Sequence, residues 1–192
     1  MTAPVLQIII GSTRPGRVGP KIAAWFTAQA ELHGGFTVEL VDLADMALPL
    51  FDEPNHPRMG QYTHEHTKKW AATIDRADAL VFVIPEYNHS VNGATKNAID
   101  FLYNEWQHKP VAFVSYGGIA AGIRAVQALK PVVAALKMVP IVDAVTIPMF
   151  FQFLTEDGSF VPDEATNAAA QATLTELARW TPALKAMRSS ES

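Results

Sequence analysis

The chain has 192 residues, of which 49% are hydrophobic and 18% charged, with 15 Lys plus Arg against 19 Asp plus Glu and a formal charge of −4. This is globular composition, too apolar and too weakly charged for a disordered chain, and the mild negative charge argues against nucleic acid as a partner. The absence of cysteine excludes disulfides, thiolate nucleophiles, Fe–S clusters and Cys-ligated zinc, and leans toward a cytoplasmic protein. At this length folding hides roughly 70% of the unfolded surface, enough for one domain spanning residues 1–192.

Residues 5–10 form a short apolar run of strand length. The run has no basic lead and no small-residue cleavage site, so we expect no targeting segment. No stretch of about 18 uncharged apolar residues follows, so we expect no membrane span. After a Gly/Pro/Arg loop, Val18, Ile22, Trp25, Phe26 and Leu32 recur at helical spacing, and Gly34-Gly35 ends that helix. Residues 36–41 read as the second strand and residues 43–62 as a Pro-rich irregular stretch. A helix over 64–76 leads to residues 79–84, a near-continuous apolar run that suits a strand buried on both faces. A helix over 94–103, a strand over 111–115, a helix over 119–136 bearing Pro131, a strand over 141–147 and a last helix over 163–187 bearing Pro182 complete the alternation. Five strands alternating with five helices predict a doubly wound α/β fold. Right-handed crossovers leave few topologies, and of these we expect the flavodoxin-like parallel order 2-1-3-4-5 in preference to a dinucleotide-binding half.

In such sheets ligands sit beyond the carboxyl ends of the strands, near the switch in strand order. Three unusual loops fall there. The first holds Gly11, Ser12, Thr13, Arg14, Pro15, Gly16, Arg17, Val18 and Gly19. It opens a helix, whose free N–H groups attract anions, and adds two hydroxyls and two guanidinium groups. Two arginines facing one dianion point to a terminal monophosphate; the bland alternative is a Gly/Pro connector with solvated arginines. A P-loop is excluded because Arg17 and Val18 stand where Lys and Ser/Thr belong, and the dinucleotide fingerprint fails at Thr13. Asp42 closes the second strand, where it reads more simply as a strand-end cap than as a ribose ligand.

The second loop holds Pro85, Glu86, Tyr87, Asn88 and Ser90, a mix of rigid, aromatic and polar groups suited to a planar heteroaromatic ring. The third, Ser115, Tyr116, Gly117 and Gly118, lets backbone N–H groups approach a ligand closely. In the expected order, strands 1, 3 and 4 are neighbours, so the three loops line one crevice. The pair His64 and His66 is not read as a metal site, since i, i+2 residues point apart on a helix. No Gly-x-Ser-x-Gly elbow is present, which disfavours an α/β-hydrolase. Phe150, Phe151 and Phe153 read as core or as a subunit contact.

The stretches GSTRPGRVG, PEYNHSVNGATKNAID and KPVAFVSYGG together resemble the NADPH-dependent FMN reductase family, a flavodoxin-like group of quinone, azo-dye and chromate reductases. Arg17 and Gly19, which stand where many members carry Ser and Asn, together with Asn92 and the Ala121-Gly122 pair, depart from that family's usual residues, so the phosphate contacts are expected to be partly different. The resemblance implies a tightly bound FMN whose phosphate rests on Ser12, Arg14 and the backbone from Arg17 through Val18 to Gly19. It implies that Pro85, Glu86, Tyr87 and Asn88 line the ring, with Ser115, Tyr116, Gly117 and Gly118 closing the other side. The implied partners are NADPH as co-substrate, a small electron acceptor and a further copy of the chain, as a homodimer or homotetramer. The cofactor then carries the redox chemistry, and no side chain is assigned as an acid or base, although His89 lies beside the expected ring. The rival reading is a flavodoxin-type electron carrier that does not itself oxidise NAD(P)H.

Overall fold

A computed structural model describes residues 3–189. Its elements in chain order are β1 (Val5–Ile10), α1 (Gly19–His33), β2 (Thr37–Asp42), α2 (Leu43–Met46), α3 (Glu65–Asp75), β3 (Ala79–Pro85), α4 (Gly93–Asp100), β4 (Pro110–Tyr116), α5 (Ile123–Ala135), β5 (Val139–Pro140), β6 (Val145–Ile147) and α6 (Glu164–Ser189). The strands form one parallel sheet in the order β2-β1-β3-β4-β5, with β6 also on β4. This is the expected doubly wound, flavodoxin-like order.

Alternation along the central strands builds two cores, because successive side chains face opposite sides of a sheet. Ile8, Ile10, Val81 and Val83 join Ile22 and Phe26 of α1 and Leu174 and Leu177 of α6 on one face. Ile9, Leu80, Phe82 and Ile84 join Trp70 and Ile74 of α3, Ile99 of α4 and Leu129 and Val133 of α5 on the other. β3 and β4 are buried along their whole length, which is why their sequences read as unbroken apolar runs.

Three expectations need correction. The fifth strand is not continuous: β5 pairs with the start of β4 and β6 with its end, while Val142 between them is 89% exposed. An edge position needs hydrogen bonds on one side only, so it tolerates this outward bend. Leu32 is 77% exposed, because the buried face of α1 runs through Ile22, Ala23, Phe26 and Ala30, and Leu32 lies off that stripe. His64 and His66 do not point apart. His64 is the extended N-cap of α3, so its ring stacks on that of His66 at 5.2 Å between centroids. The helices α5 and α6 run through Pro131 and Pro182 without ending. Among the described residues no helix is long and apolar enough to cross a membrane, and no group of three or more His, Cys, Asp or Glu is arranged to hold a metal ion.

Candidate functional site

The parallel register places the ends of β1, β3 and β4 side by side: Ile10 is opposite Val83, and Pro85 opposite Tyr116. The loops that follow enclose a cavity of about 190 Å³ lined by Arg14, Arg17, Val18, Pro85, Glu86, Tyr87, Tyr116, Gly117, Gly118 and Phe150. Ser12, Gly19, Asn88 and Ser115 belong to the same loops but do not line it.

At the β1–α1 corner, helix α1 starts with Val18 as N-cap, Pro20 in its first turn and no side-chain cap. Its leading N–H groups are therefore not satisfied by a neighbouring side chain, the usual preparation for an anion. Ser12 is 1% exposed, and its Oγ, next to the Tyr116 hydroxyl, makes no hydrogen bond of acceptable geometry. A Cβ placed on Gly19 lies 2.2 Å from Ser12 Oγ and 3.0 Å from the Tyr116 hydroxyl, so only glycine lets the helix start this close to both groups. Arg14 is exposed, touching the Pro15 carbonyl at 3.3 Å. Arg17 is differently placed. Its guanidinium grips the two Asp42 carboxylate oxygens at 2.6 and 2.7 Å and also donates to the Ser12 carbonyl. Asp42 in turn caps α2 through the Ala44 N–H at 2.9 Å, which fits the cap reading of that residue. The bidentate bond with Asp42 holds the Arg17 pKa above its ordinary value, outweighing the opposite effect of burial.

The loop is also tied to α4. Asn92 and Thr95 both donate to the Gly11 carbonyl, at 2.8 and 3.2 Å, and Asn92 accepts from the Thr95 N–H at 2.9 Å. Gly11 is forced, since a Cβ there lies 2.3 Å from Thr95 Oγ1. This buried clamp was not read from the sequence; its one local signal is an Asn three residues before Thr at a helix start.

After β3 the chain turns at once. Tyr87 and Ser90 exchange backbone hydrogen bonds of 3.1 and 3.0 Å, and Asn88 and His89 both have positive φ, 50° and 64°. That is the type I′ hairpin geometry, which Asn tolerates better than most residues. It presents Tyr87 half-exposed at the cavity. The Glu86 carboxylate turns away to Arg124, accepting from its backbone N–H at 3.1 Å and from its guanidinium. Burial pushes the Glu86 pKa up, but the Arg124 contacts outweigh it and hold the carboxyl below its usual range.

After β4, Gly117 donates to the Ile147 carbonyl at 3.2 Å, while Gly118 and Gly117 accept from Met149 and Phe150. The third loop is thus sewn to the segment after β6. Phe150, noted from the sequence only as core or contact, closes the cavity with its ring edge-on to Tyr116, at 5.6 Å and 81°. Burial pushes the Tyr116 hydroxyl up to about 12, so it stays neutral at ordinary pH. Ser115 Oγ is buried without a hydrogen-bond partner.

Residues 5–152 match the family described as NADPH-dependent FMN reductase. The chain belongs to that family. It is 45% identical over 149 residues to an NAD(P)H-dependent FMN reductase of Schizosaccharomyces pombe, covering 76% of this chain and 74% of the relative. It is 32% identical to a quinone reductase of Pseudomonas putida over 69% of this chain and 71% of that one. The fold resembles the flavoenzyme NAD(P)H:(acceptor) oxidoreductase FerB of Paracoccus denitrificans, with a TM-score of 0.76, 24% identity and coverage of 94% and 98% of the two chains. The reductase is therefore an NAD(P)H-dependent enzyme with FMN as its cofactor. The site's residues fit that group. A buried, unpartnered serine hydroxyl, an uncapped helix start and an exposed arginine meet at one corner, and a slot with an aromatic residue on each wall opens beside it.

Proposed function

We propose that this enzyme oxidises NADPH and delivers the electrons to a small planar acceptor: a flavin, a quinone, an azo compound or a similar oxidant. The observation that carries this reading is the convergence of the β1, β3 and β4 loops on one cavity. The relatedness to a quinone reductase supports the acceptor class.

In this reading Ser12, Arg14 and the backbone N–H groups from Arg17 to Gly19 hold the FMN phosphate. Arg17 lends its charge at the edge of the site, but its main work is to fasten the loop to Asp42. Pro85, Glu86, Tyr87 and Asn88 form one wall of the ring slot, and Ser115, Tyr116, Gly117 and Gly118 the other. When bound, FMN would supply the redox chemistry between the nicotinamide and the acceptor. The protein's part is positional and electrostatic. The hairpin at Asn88 and His89 fixes Tyr87, Tyr116 offers a neutral hydroxyl, and Phe150 packs edge-on against Tyr116 along the cavity. No side chain is assigned as a general acid or base.

The reading extends to a homo-oligomer, dimer or tetramer. Its support is a largely apolar groove of about 720 Å³ lined by Ile99 of α4, Pro131 and Val132 of α5, and Phe51, Pro57 and Tyr103 of the adjoining loops. Lys96 and Asp100, which pair with each other one turn apart on α4 at 2.6 Å, also line it, and an antiparallel second copy brings the two pairs together. A cytoplasmic location belongs to the same proposal, supported by the need for reduced nicotinamide nucleotide, which cells generate internally.

The test is anaerobic stopped-flow mixing of the FMN-loaded protein with NADPH and with NADH, followed by turnover with a quinone or an azo dye. Bleaching of the flavin absorbance by NADPH at the turnover rate is expected. A protein that holds flavin but is not reduced by either nucleotide is a carrier, and the proposal fails.

A further inference from the structure

Glu86 and Arg124 connect the two walls of the slot. Glu86 follows β3, and its side chain is only 8% exposed although it lines the cavity. Arg124 is in the first turn of α5, and its side chain is 47% exposed. The N-cap of α5 is Gly122, at φ 79°, and that helix has no cap from its own neighbours. Glu86 supplies one from across the sheet: Oε2 accepts from the Arg124 N–H at 3.1 Å and Oε1 from the guanidinium. The negative end of the pair is thus shielded beside the cavity that Glu86 lines, while the positive end is half-exposed. A charge that cavity walls shield from water acts on a neighbour more strongly than one in solvent.

We propose that Glu86 and Arg124 form a charge-balanced pair that sets how readily a flavin between these walls accepts electrons. The inference rests on the FMN reading above. Reduction adds negative charge to the ring, so an uncompensated carboxylate opposes it and an uncompensated guanidinium assists it. Arg124 keeps Glu86 from opposing hydride uptake while leaving the carboxylate free to cap α5.

The experiment is a spectroelectrochemical titration of the flavin midpoint potential in FMN-loaded wild type, Glu86→Gln, Arg124→Gln, Arg124→Lys and the double variant Glu86→Gln/Arg124→Gln. The expected shifts are downward for Arg124→Gln and upward for Glu86→Gln. The double variant returns toward wild type, and Arg124→Lys, which keeps the charge but not the fork, stays near it. A merely structural strap predicts instead that Lys behaves like Gln and that both single Gln variants shift the same way or not at all; either result overturns the proposal. Circular dichroism and FMN retention on each variant separate misfolding from tuning, and Glu86→Gln, which is isosteric, and Arg124→Lys remain decisive if Arg124→Gln does not fold. Wild type that retains no FMN overturns the FMN reading itself, whereas bound FMN with potentials that ignore the charge changes overturns this inference alone.

Discussion

Replacing Ser12 by alanine separates what the β1–α1 corner does for the fold from what it does for the cofactor. Ser12 Oγ is buried beside the Tyr116 hydroxyl without a hydrogen bond of acceptable geometry, while its backbone carbonyl holds Arg17 and survives the substitution. A buried hydroxyl without a partner carries a desolvation cost of about 1–3 kcal/mol. Ser12→Ala removes that cost from the cofactor-free protein along with a few van der Waals contacts. The cofactor-free variant is therefore expected to unfold at the same denaturant midpoint as wild type or a higher one. The bound state loses a hydrogen bond to a charged phosphate, worth about 1.5–3 kcal/mol, so FMN affinity is expected to fall about tenfold to 150-fold. The assay is quenching of flavin fluorescence on titration with cofactor-free protein, paired with urea melts of the same sample. Weakened folding with unchanged FMN affinity would instead make Ser12 a structural residue and leave the phosphate without this ligand.

The two arginines of the loop should behave differently. Arg14→Ala is expected to weaken FMN binding by about 1.5–3 kcal/mol with little change in the melt, whereas Arg17→Ala, which strands Asp42 in a half-buried site, is expected to lower stability of the cofactor-free protein by about 1–3 kcal/mol; equal effects in the two assays would contradict their different partners. Lys109 is buried against the end of α3, donating to the Ile74 carbonyl at 2.6 Å, and burial, with Arg188 nearby, pushes its pKa down to about 8. The unfolded chain binds that proton more tightly than the folded one, so stability is expected to rise by on the order of 1–2 kcal/mol between pH 8 and 10; Lys109→Met should flatten that rise in chemical denaturation, and an unchanged slope would deny the lysine this role. Lys96→Asp or Asp100→Lys alone is expected to shift the protein toward monomer in light scattering, and the double exchange to restore association; a double variant as monomeric as the singles would place the interface elsewhere.

Much of the fold was legible because the features that report it are local. The apolar runs of β1, β3 and β4 are short and unbroken, the Gly34-Gly35 pair ends α1 at φ 71°, and the strand order follows from alternation and crossover handedness. The three site loops were legible for the same reason, since each lies at the end of a recognisable strand. What was not legible depends on pairs distant in sequence. Arg17 meets Asp42 only because the parallel register sets Ile10 opposite Asp42. The purpose of Glu86 becomes visible only when α5 begins beside it. Phe150 reaches the cavity through backbone bonds to the Gly117–Gly118 turn, which periodicity does not register. The stacked histidines depend on where α3 begins, a boundary of one or two residues that sequence patterns locate poorly.

If the β1–α1 corner anchors the phosphate of FMN, the electron density of a soaked crystal must show it there. In a crystal of the FMN-soaked protein, phosphate density is expected at the start of α1, within hydrogen-bond reach of Ser12 Oγ and Arg14, with the ring between the Tyr87 and Tyr116 loops. Phosphate density at any other place, or a ring seated in the groove between α4 and α5, would contradict it.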